Sequence, residues 1–523
     1  MLTQLQQDII AEMTQGCAMN LSGVDRVTVE QTPDYLKAPV RAHDVVTAFT
    51  AALALAIEAL GRERGLPRQQ IAIDRRGAGM MLNSLGFNYQ NGWKLSVIEM
   101  IQATSQFYPD KNDKWFLMVG EYSHFRRAIL RYLDCADHPE AIERATRKRT
   151  VEQMEEDCAK LGIPAAILRT RDEWSRHPQG DYLAGTPPVS IQQIGSAGRK
   201  PLPPAKARPL EGVRVLCLTH VIAGPLVGRC LGEHGADVIE LRNADFPYHT
   251  PFEIDTGWNK RSMFADLTLS DGKAKFEELL SGCDVLVWGY RHGGLERLGY
   301  PMKKLLEINP NLILMRENAY GFGGPMETWR SWEQNAQTAV GVAAECSPPN
   351  DPALMPGLGC DYGTGFLAAL GVVDALARRS SEGGAWEVRA CLARTGMIYA
   401  SHTDPEAVAV PLTEADLEKY CVDQETPEGI FTHLAPAARF SETPATYTVQ
   451  RGMMMGCVPM SESWHEDVPD TRSPVSYYPS KLARTGGLHG GIAEYGSCVA
   501  TACGKASIQP DYAREGEQIR PKY

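Results

Sequence analysis

The sequence predicts an α/β protein with a Rossmann-like parallel sheet in a large domain and a second, small and mainly helical α/β domain. Short apolar runs alternate with helical segments through residues 209–400, as expected for parallel strands joined by right-handed crossovers. The predicted strands of this region are Val213–Leu218, Val238–Leu241, Cys283–Val287 and Leu312–Met315. At 523 residues the chain exceeds the size of one hydrophobic core, so more than one domain is expected.

Helical periodicity marks the segments on either side of these strands. Gly224–Gly235 is predicted to be the first helix of the large domain. Upstream, Glu121–Cys135 and His138–Leu161 have the apolar spacing of helices. Pro139 suits the first position of the second helix, and Gly162 suits its end. This part of the chain is therefore expected to form the small domain, ahead of the large one.

The chain contains an internal repeat. In both copies a helix rich in small residues is followed by a short strand and a Gly-Met pair. The two copies are Phe49–Leu60, Gln70–Asp74 and Gly79-Met80, and Phe366–Leu376, Trp386–Ala390 and Gly396-Met397. Unrelated helix–strand units can share such a pattern because small residues favour helix-on-sheet packing. The shared order favours duplication instead.

These patterns divide the chain into five parts. They are an N-terminal segment that completes a large domain, 1–85 (repeat unit 45–84); a small domain with a return segment, 86–200; a proline-rich linker, 201–208; the Rossmann-like large domain, 209–400; and a C-terminal return segment with an irregular tail, 401–523.

Composition limits the classes of partner. A net charge of −11 argues against nucleic acid and anionic membrane surfaces as partners. No apolar run is expected to span a bilayer; the nearest, Ala48–Leu60, contains Glu58. The N-terminus lacks the pattern of a signal peptide, and thirteen scattered cysteines are typical of reduced thiols. We therefore expect a cytoplasmic protein that needs no metal.

Asp361 is the leading candidate for a catalytic residue. It stands among glycines in Gly357–Gly365, just before the second repeat helix. A carboxylate at a helix start lies beside free backbone amides that can stabilise a developing oxyanion. The alternative is that Asp361 only caps the helix or forms a turn, since Asp and Gly dominate such positions.

Three further stretches suit an anionic cofactor. The first strand–helix turn, Thr219–Pro225, allows close approach of a ligand to backbone, but it lacks the GxGxxG pattern of dinucleotide sites. Lys260 and Arg261 carry the charge that phosphates require, although a solvated basic turn is the commoner case. Arg297 ends a Gly-containing cluster that could also be an ordinary helix cap.

Several of these stretches resemble class III CoA-transferases, the family of formyl-CoA transferase, carnitine CoA-transferase and α-methylacyl-CoA racemase. The resemblance rests on Pro209–Pro225, Gly235–Leu241, Asn259–Ser262, Arg291–Gly299, Tyr320–Pro325 and Gly357–Gly365. In that family the first of these segments lies at the N-terminus. The resemblance therefore implies a permuted domain order, with the repeat as the duplicated joint.

The resemblance implies coenzyme A as the bound cofactor and a residue-by-residue assignment. Asp361 becomes the nucleophile that carries CoA as a covalent aspartyl thioester. The loop residues His220, Val221, Ile222 and Ala223 hold pantetheine and thioester, Lys260, Arg261 and Arg297 contact CoA, and Tyr320 and Gly321 shape the acyl pocket. The alternative for His220 is a purely structural histidine whose hydrogen bonds are satisfied within the protein.

Two positions bear on which family reaction is expected. Ile222 replaces the Gln of formyl-CoA transferase, which favours a less polar acid than formate or oxalate. Ser331-Trp332 stands where the racemases place their second catalytic group, a His. The expected activity is therefore CoA transfer from an acyl-CoA to a carboxylic acid. The alternatives are an acyl-CoA racemase or dehydratase, and a non-catalytic CoA-binding scaffold. The resemblance also implies a homodimer.

Overall fold

The computed structural model describes residues 1–19, 21, 23–95, 102–243, 250–426, 428–447, 458–459, 464 and 473–474. Of the tail expected over 465–523, only 473–474 are described, and the glycine cluster at 486–491 lies outside the described residues.

Helices occur throughout the described ranges. In chain order they are α1 (Gln4–Met13), α2 (Ala42–Glu63), α3 (Arg75–Met80), α4 (Ser123–Leu133), α5 (Pro139–Thr146), α6 (Val151–Leu161), α7 (Arg171–Arg176), α8 (Pro178–Ala184), α9 (Ala223–Glu233), α10 (Thr250–Gly257), α11 (Ser270–Gly282), α12 (Gly294–Leu298), α13 (Met302–Ile308), α14 (Glu333–Val340), α15 (Val342–Cys346), α16 (Gly359–Ser381), α17 (Leu392–Ser401) and α18 (Glu414–Tyr420).

The strands are short, as expected from the sequence. They are β1 (Val27–Glu30), β2 (Ile71–Asp74), β3 (Tyr89–Gln90), β4 (Trp93–Lys94), β5 (Phe107–Pro109), β6 (Trp115–Met118), β7 (Ala165–Ile167), β8 (Val189–Gly195), β9 (Arg214–Leu218), β10 (Asp237–Arg242), β11 (Arg261–Phe264), β12 (Val285–Trp288), β13 (Ile313–Asn318), β14 (Ala385–Cys391), β15 (Cys421–Thr426), β16 (Gly429–Leu434), β17 (Ala438–Phe440), β18 (Thr446–Tyr447), β19 (Val458–Pro459) and β20 (Ser473–Pro474).

The largest sheet confirms the predicted fold class. Its strands run in the order β19-β11-β10-β9-β12-β13-β14-β8, and all neighbours are parallel except the edge strand β8. The six strands from β9 to β14 follow the doubly wound order 3-2-1-4-5-6 of the Rossmann fold. The four strands predicted from the sequence are all present, with ends that differ by at most three residues.

The small domain packs around a core of its own. Strands β5, β6 and β7 form an antiparallel sheet, and α4, α5 and α6 cover it. The prediction of one helix over His138–Leu161 is wrong, because the chain turns after Thr146 and Thr150 caps a new helix at Val151. Pro139 does open its helix, and Gly162 does end the second one with a φ of 67°.

The N-terminal segment packs on the large domain. Helix α2 lies against α16, and residues of both belong to one hydrophobic core. Edge strands are exchanged between the two regions: β8 pairs antiparallel with β14, and β17 pairs antiparallel with β2.

Two helices, α2 and α16, are long and apolar enough to cross a membrane by length and composition alone. No apolar run of that length was predicted from the sequence. Both helices are buried inside the protein, and core helices of soluble proteins often have the same length and composition. Glu58, within α2, is buried and paired with Arg26 at 2.7 Å.

Candidate active site

A cavity of about 460 Å³ lies at the carboxyl edge of the large sheet. There the chain leaves β9 toward one face of the sheet and β12 toward the other. Ligands of doubly wound sheets bind at such a switch point, because the diverging loops leave a crevice. The lining includes residues from both loops, from the small domain and from the starts of α16 and α17.

Asp361 opens into this cavity from the N-terminal end of α16. It is the third residue of the helix, and its side chain is only 7% exposed. Among the described residues, none donates a hydrogen bond to its carboxylate. The helix end is capped instead by Glu333, whose carboxylate accepts from the backbone N–H groups of Cys360 and Asp361. The Asp361 side chain is therefore not the cap of its helix.

Burial and three neighbouring carboxyl groups affect the pKa of Asp361. Burial first, then the charges of Glu333, Glu317 and Glu121, holds the pKa of Asp361 well above its ordinary value. Burial also raises the pKa of Glu317 to about 8, that of Glu121 to about 7 and that of Glu333 to about 6. The positive end of the α16 dipole acts in the opposite direction and favours an anion on Asp361.

Aromatic rings form one wall of the cavity. The His220 ring stacks on Tyr290 with centroids 5.2 Å apart, and Tyr122 lies 5.3 Å from Trp332. Phe125 packs edge-on to Trp332 at 6.4 Å. Tyr122 and Phe125 belong to the small domain, so both domains build the same wall.

The loop after β9 approaches the cavity in a strained conformation. Val221 has a φ of 72°, which is rare for a β-branched residue and is found most often at functional sites. His220, Val221, Ile222 and Ala223, the loop residues singled out from the sequence, all line the cavity. Gly224 has no room for a side chain, since a Cβ there would lie 2.7 Å from Thr219.

A second cavity of about 310 Å³ adjoins the first. Tyr290 and Arg291 line both, and Arg297 and Arg242 line only the second. Together the two cavities form a path over the carboxyl edges of β9, β10 and β12. Arg297 is therefore placed beside this path, where a cofactor phosphate could reach it.

Four of the residues singled out from the sequence do not line either cavity. Lys260 is buried against Glu240, with its Nζ 3.5 Å from the carboxylate. Arg261 pairs with Asp237 at 2.7 Å, at the start of β10 and away from the carboxyl edge. Tyr320 and Gly321 are buried beside α8, where Gln179 donates to the Tyr320 carbonyl oxygen at 2.7 Å.

Sequence reasoning missed several cavity residues. Tyr122 and Phe125 come from the small domain, and nothing in their local sequence shows that they reach the large sheet. Glu317 carried a usable signal, because a carboxylate at the end of an apolar strand lies at the ligand-binding edge of a parallel sheet. Among the described residues, no cluster of His, Cys, Asp and Glu has an arrangement suited to a metal ion.

Similarity to known proteins is concentrated in the large domain. Residues 210–431 match the family model described as CoA-transferase family III. Over 201 residues the chain is 36% identical to a formyl-CoA:oxalate CoA-transferase of Rhodopseudomonas palustris, covering 35% of this chain and 46% of that protein. An acetyl-coenzyme A transferase of Hypoxylon pulicicidum is 32% identical over 196 residues, covering 36% and 32% of the two chains.

Solved structures with partial similarity to this chain include two bacterial proteins. A hypothetical protein from Mycobacterium tuberculosis is 29% identical with a TM-score of 0.35, covering 36% of this chain and 56% of that one. A CAIB/BAIF family protein from Brucella suis is 22% identical with a TM-score of 0.36, covering 44% and 67%.

The sheet order and the cavity define a doubly wound α/β protein with a ligand site at the switch point. Its residues 210–431 are similar to the CoA-transferase family III. The chain spans about a third to a half of the length of the curated relatives named above.

Proposed function

We propose that this chain is a CoA-transferase that moves CoA from an acyl-CoA to a carboxylic acid through a covalent aspartyl-CoA intermediate on Asp361. The observation that carries the proposal is the unpaired Asp361 carboxylate, which is held at a helix N-terminus and opens into the switch-point cavity. A structural aspartate in this position would be expected to cap its helix, and Glu333 does that instead.

The chemistry is an exchange between carboxylates and a thiolate. Asp361 attacks the thioester carbonyl, a C–O bond forms, and the C–S bond breaks with its electron pair on sulfur. The CoA thiolate then attacks the Asp361 carbonyl of the mixed anhydride and releases the donor acid. The acceptor carboxylate repeats these two steps in reverse, which returns Asp361 as a free carboxylate.

The cavity wall favours an apolar or aromatic acyl group. Tyr122, Phe125 and Trp332 give the acyl end a flat, apolar surface, and Ile222 adds an aliphatic one. The CoA arm would continue into the second cavity, past Arg291 and toward Arg297. In this proposal coenzyme A binds as part of the acyl-CoA substrate, and a carboxylic acid accepts it.

The test is chemical trapping. The protein is incubated with a panel of acyl-CoAs and then with hydroxylamine, and the peptide containing Gly357–Gly365 is weighed by mass spectrometry. A hydroxamate mass shift on Asp361 that is absent from Asp361→Ala supports the proposal. If CoA binds and no acyl-CoA gives a label, the nucleophile assignment is wrong and a CoA-binding scaffold becomes the better reading.

A second candidate is racemisation at the α-carbon. His220 and His124 line the cavity together with Asp361, so a second base is available although Ser331-Trp332 replaces the racemase His. The measurement is deuterium uptake at the α-carbon of a 2-methylacyl-CoA in heavy water. We expect no uptake, and rapid exchange without CoA transfer would favour the racemase.

Two wider assignments are part of the same proposal. The resemblance implies a homodimer, which light scattering checks against the 57.5 kDa mass of one chain. It also fits a cytoplasmic enzyme, which a fluorescent fusion of the full chain would test in the source cell.

A further inference from the structure

Glu317 places a second carboxyl group in the cavity where the proposed reaction releases the CoA sulfur. It is the next-to-last residue of β13 and lines the same cavity as Asp361. Its Oε1 lies close to two glycines, since an added Cβ would stand 2.5 Å away at Gly289 and 3.3 Å away at Gly224. Gly289 follows β12 and Gly224 is the second residue of α9, so the carboxyl group lies between the two diverging loops.

This carboxyl group differs from its buried neighbours. Glu333 is held by two backbone amides and Gln337, and Glu121 accepts a hydrogen bond from Gln334 at 2.9 Å. Within the described part of the chain, Glu317 has no such hydrogen-bond or ion-pair partner, and burial is the only influence on its pKa. The Glu317 residue is half-buried in the cavity wall, and among the described residues its carboxyl group has no donor there to stabilise a charge. The protonated form is therefore favoured, and Glu317 presents an O–H to the cavity.

We propose that Glu317 is a catalytic acid that supports the departing CoA sulfur during transfer. This inference rests on the proposed transferase function. When Asp361 has attacked and the C–S bond has broken, the electron pair is on sulfur. Glu317 donates its proton to that thiolate, and takes the same proton back before the sulfur attacks the Asp361 carbonyl. The proton returns to its starting atom, so the cycle needs no added acid or base.

A neutral acid suits this position better than an ionised one. The negative charge moves from the Asp361 carboxylate to the thiolate within this cavity, and a second negative charge on Glu317 would oppose it in both states. The titratable and charged groups that share this cavity with Glu317 come from several elements: Asp361 from α16, His220, Tyr290, Arg291 and His292 from the loops after β9 and β12, Tyr122 and His124 from the small domain, and Glu327 and Arg330 from the segment before α14. Cys391, at the end of β14, also lies within electrostatic range of Glu317. The fixed positive charges among the cavity residues are Arg291, which is exposed, and Arg330, which is half-buried.

The test compares pH profiles of kcat/KM for CoA transfer in the wild type, Glu317→Gln and Glu317→Ala. The wild-type profile should fall above pH about 8, as Glu317 loses its proton. Glu317→Gln keeps an N–H donor but cannot transfer a proton. It should lose about tenfold at neutral pH and lose the alkaline fall, whereas Glu317→Ala should lose about 100-fold. Glu327→Gln, at another carboxylate of the same cavity, should keep the alkaline fall.

An alkaline fall that survives in Glu317→Gln, or wild-type activity in Glu317→Ala, would overturn the role of Glu317. An infrared difference spectrum between wild type and Glu317→Gln reads the protonated carboxyl group without any turnover. If no such band is present at neutral pH, the inference is wrong even if transfer occurs. Absence of transfer and of Asp361 labelling in the wild type would instead refute the proposed function, and this role with it.

Discussion

Two regions of the molecule share one architecture and differ in a single decisive contact. The unit β1–α2–β2–α3 and the unit β13–α16–β14–α17 both place an aspartate at the third residue of their long helix, Asp44 and Asp361. Arg75 opens the helix that follows the strand in the first unit, and Leu392 opens it in the second. Leu392 lines the active-site cavity.

The arginine closes the first site. Arg75 donates to both carboxylate oxygens of Asp44, at 3.0 and 2.9 Å, and Gln6 adds a third hydrogen bond at 2.9 Å. Among the described residues, no cation pairs with Asp361 in the second unit. The position that corresponds to Arg75 is occupied by Leu392, beside the open cavity. The comparison teaches that the scaffold supplies the carboxylate, while the residue at the next helix start decides whether it is free to react.

The largest expected effect separates the two aspartates. Asp361→Asn should lower kcat for CoA transfer by at least about 10³-fold, because the amide is not a nucleophile. Asp44→Asn is the matched control and should leave hydroxylamine labelling on the peptide of Asp361 intact. Labelling on Asp44, measured by the same mass spectrometry, would show that the first site also reacts.

Transplanting the arginine should close the open site. In Leu392→Arg the guanidinium is expected to pair with Asp361, and kcat/KM should fall about 100-fold as the carboxylate loses nucleophilicity. Leu392→Met keeps the volume without the charge and should retain most of the activity. If the arginine variant folds and transfers CoA at the wild-type rate, the contact does not distinguish the two sites.

Removing the arginine from the closed site should cost stability. Arg75→Met leaves Asp44 buried without its ion pair and should lower the free energy of unfolding by about 3 kcal/mol. Denaturant titration measures this change. Arg144→Met removes an exposed pair with Glu140 in the small domain and should change stability by less than about 0.5 kcal/mol. Equal effects of the two variants would contradict a special role for the buried pair.

The smallest effect concerns pH and the open site. The pKa of Asp361 is raised in the folded state, so the folded protein binds the proton more tightly than the unfolded chain. The contribution of Asp361 to stability therefore falls as pH rises above the ordinary value of 3.8. Asp361→Asn should be more thermostable than the wild type at pH 7, by about 1–3 °C, with the difference vanishing near pH 4. A variant that melts below the wild type at pH 7 would contradict this sign.

The two units also resemble each other in the antiparallel strand at their edge. Each unit is completed by an antiparallel strand from the chain that follows the other unit, β8 on β14 and β17 on β2. Whether the helix–strand repeat arose by duplication, and whether the domain order is permuted, stay predictions from the sequence.

The sequence by itself determined the parallel sheet, the places of its central strands and the candidacy of Asp361. Apolar runs that alternate with helices specify buried parallel strands, and a glycine-flanked aspartate at a helix start indicates a carboxylate near the positive end of the helix dipole. These are local properties, which a chain carries wherever it folds. The structure corrects one detail, since Asp361 lies within the helix and Glu333 accepts from the backbone amides at the helix start.

Only the tertiary structure decided which side chains share the cavity. Tyr122 and Phe125 line the same cavity as Asp361 because the small domain packs over the switch point, which brings together residues that are distant in the chain. Lys260 and Arg261 were predicted from the sequence to contact a phosphate, but neither lines the cavity. They form ion pairs with Glu240 and Asp237 on the neighbouring strand instead. The pairing of Asp44 with Arg75, and the freedom of Asp361, likewise depend on how one helix start faces another across a folded core.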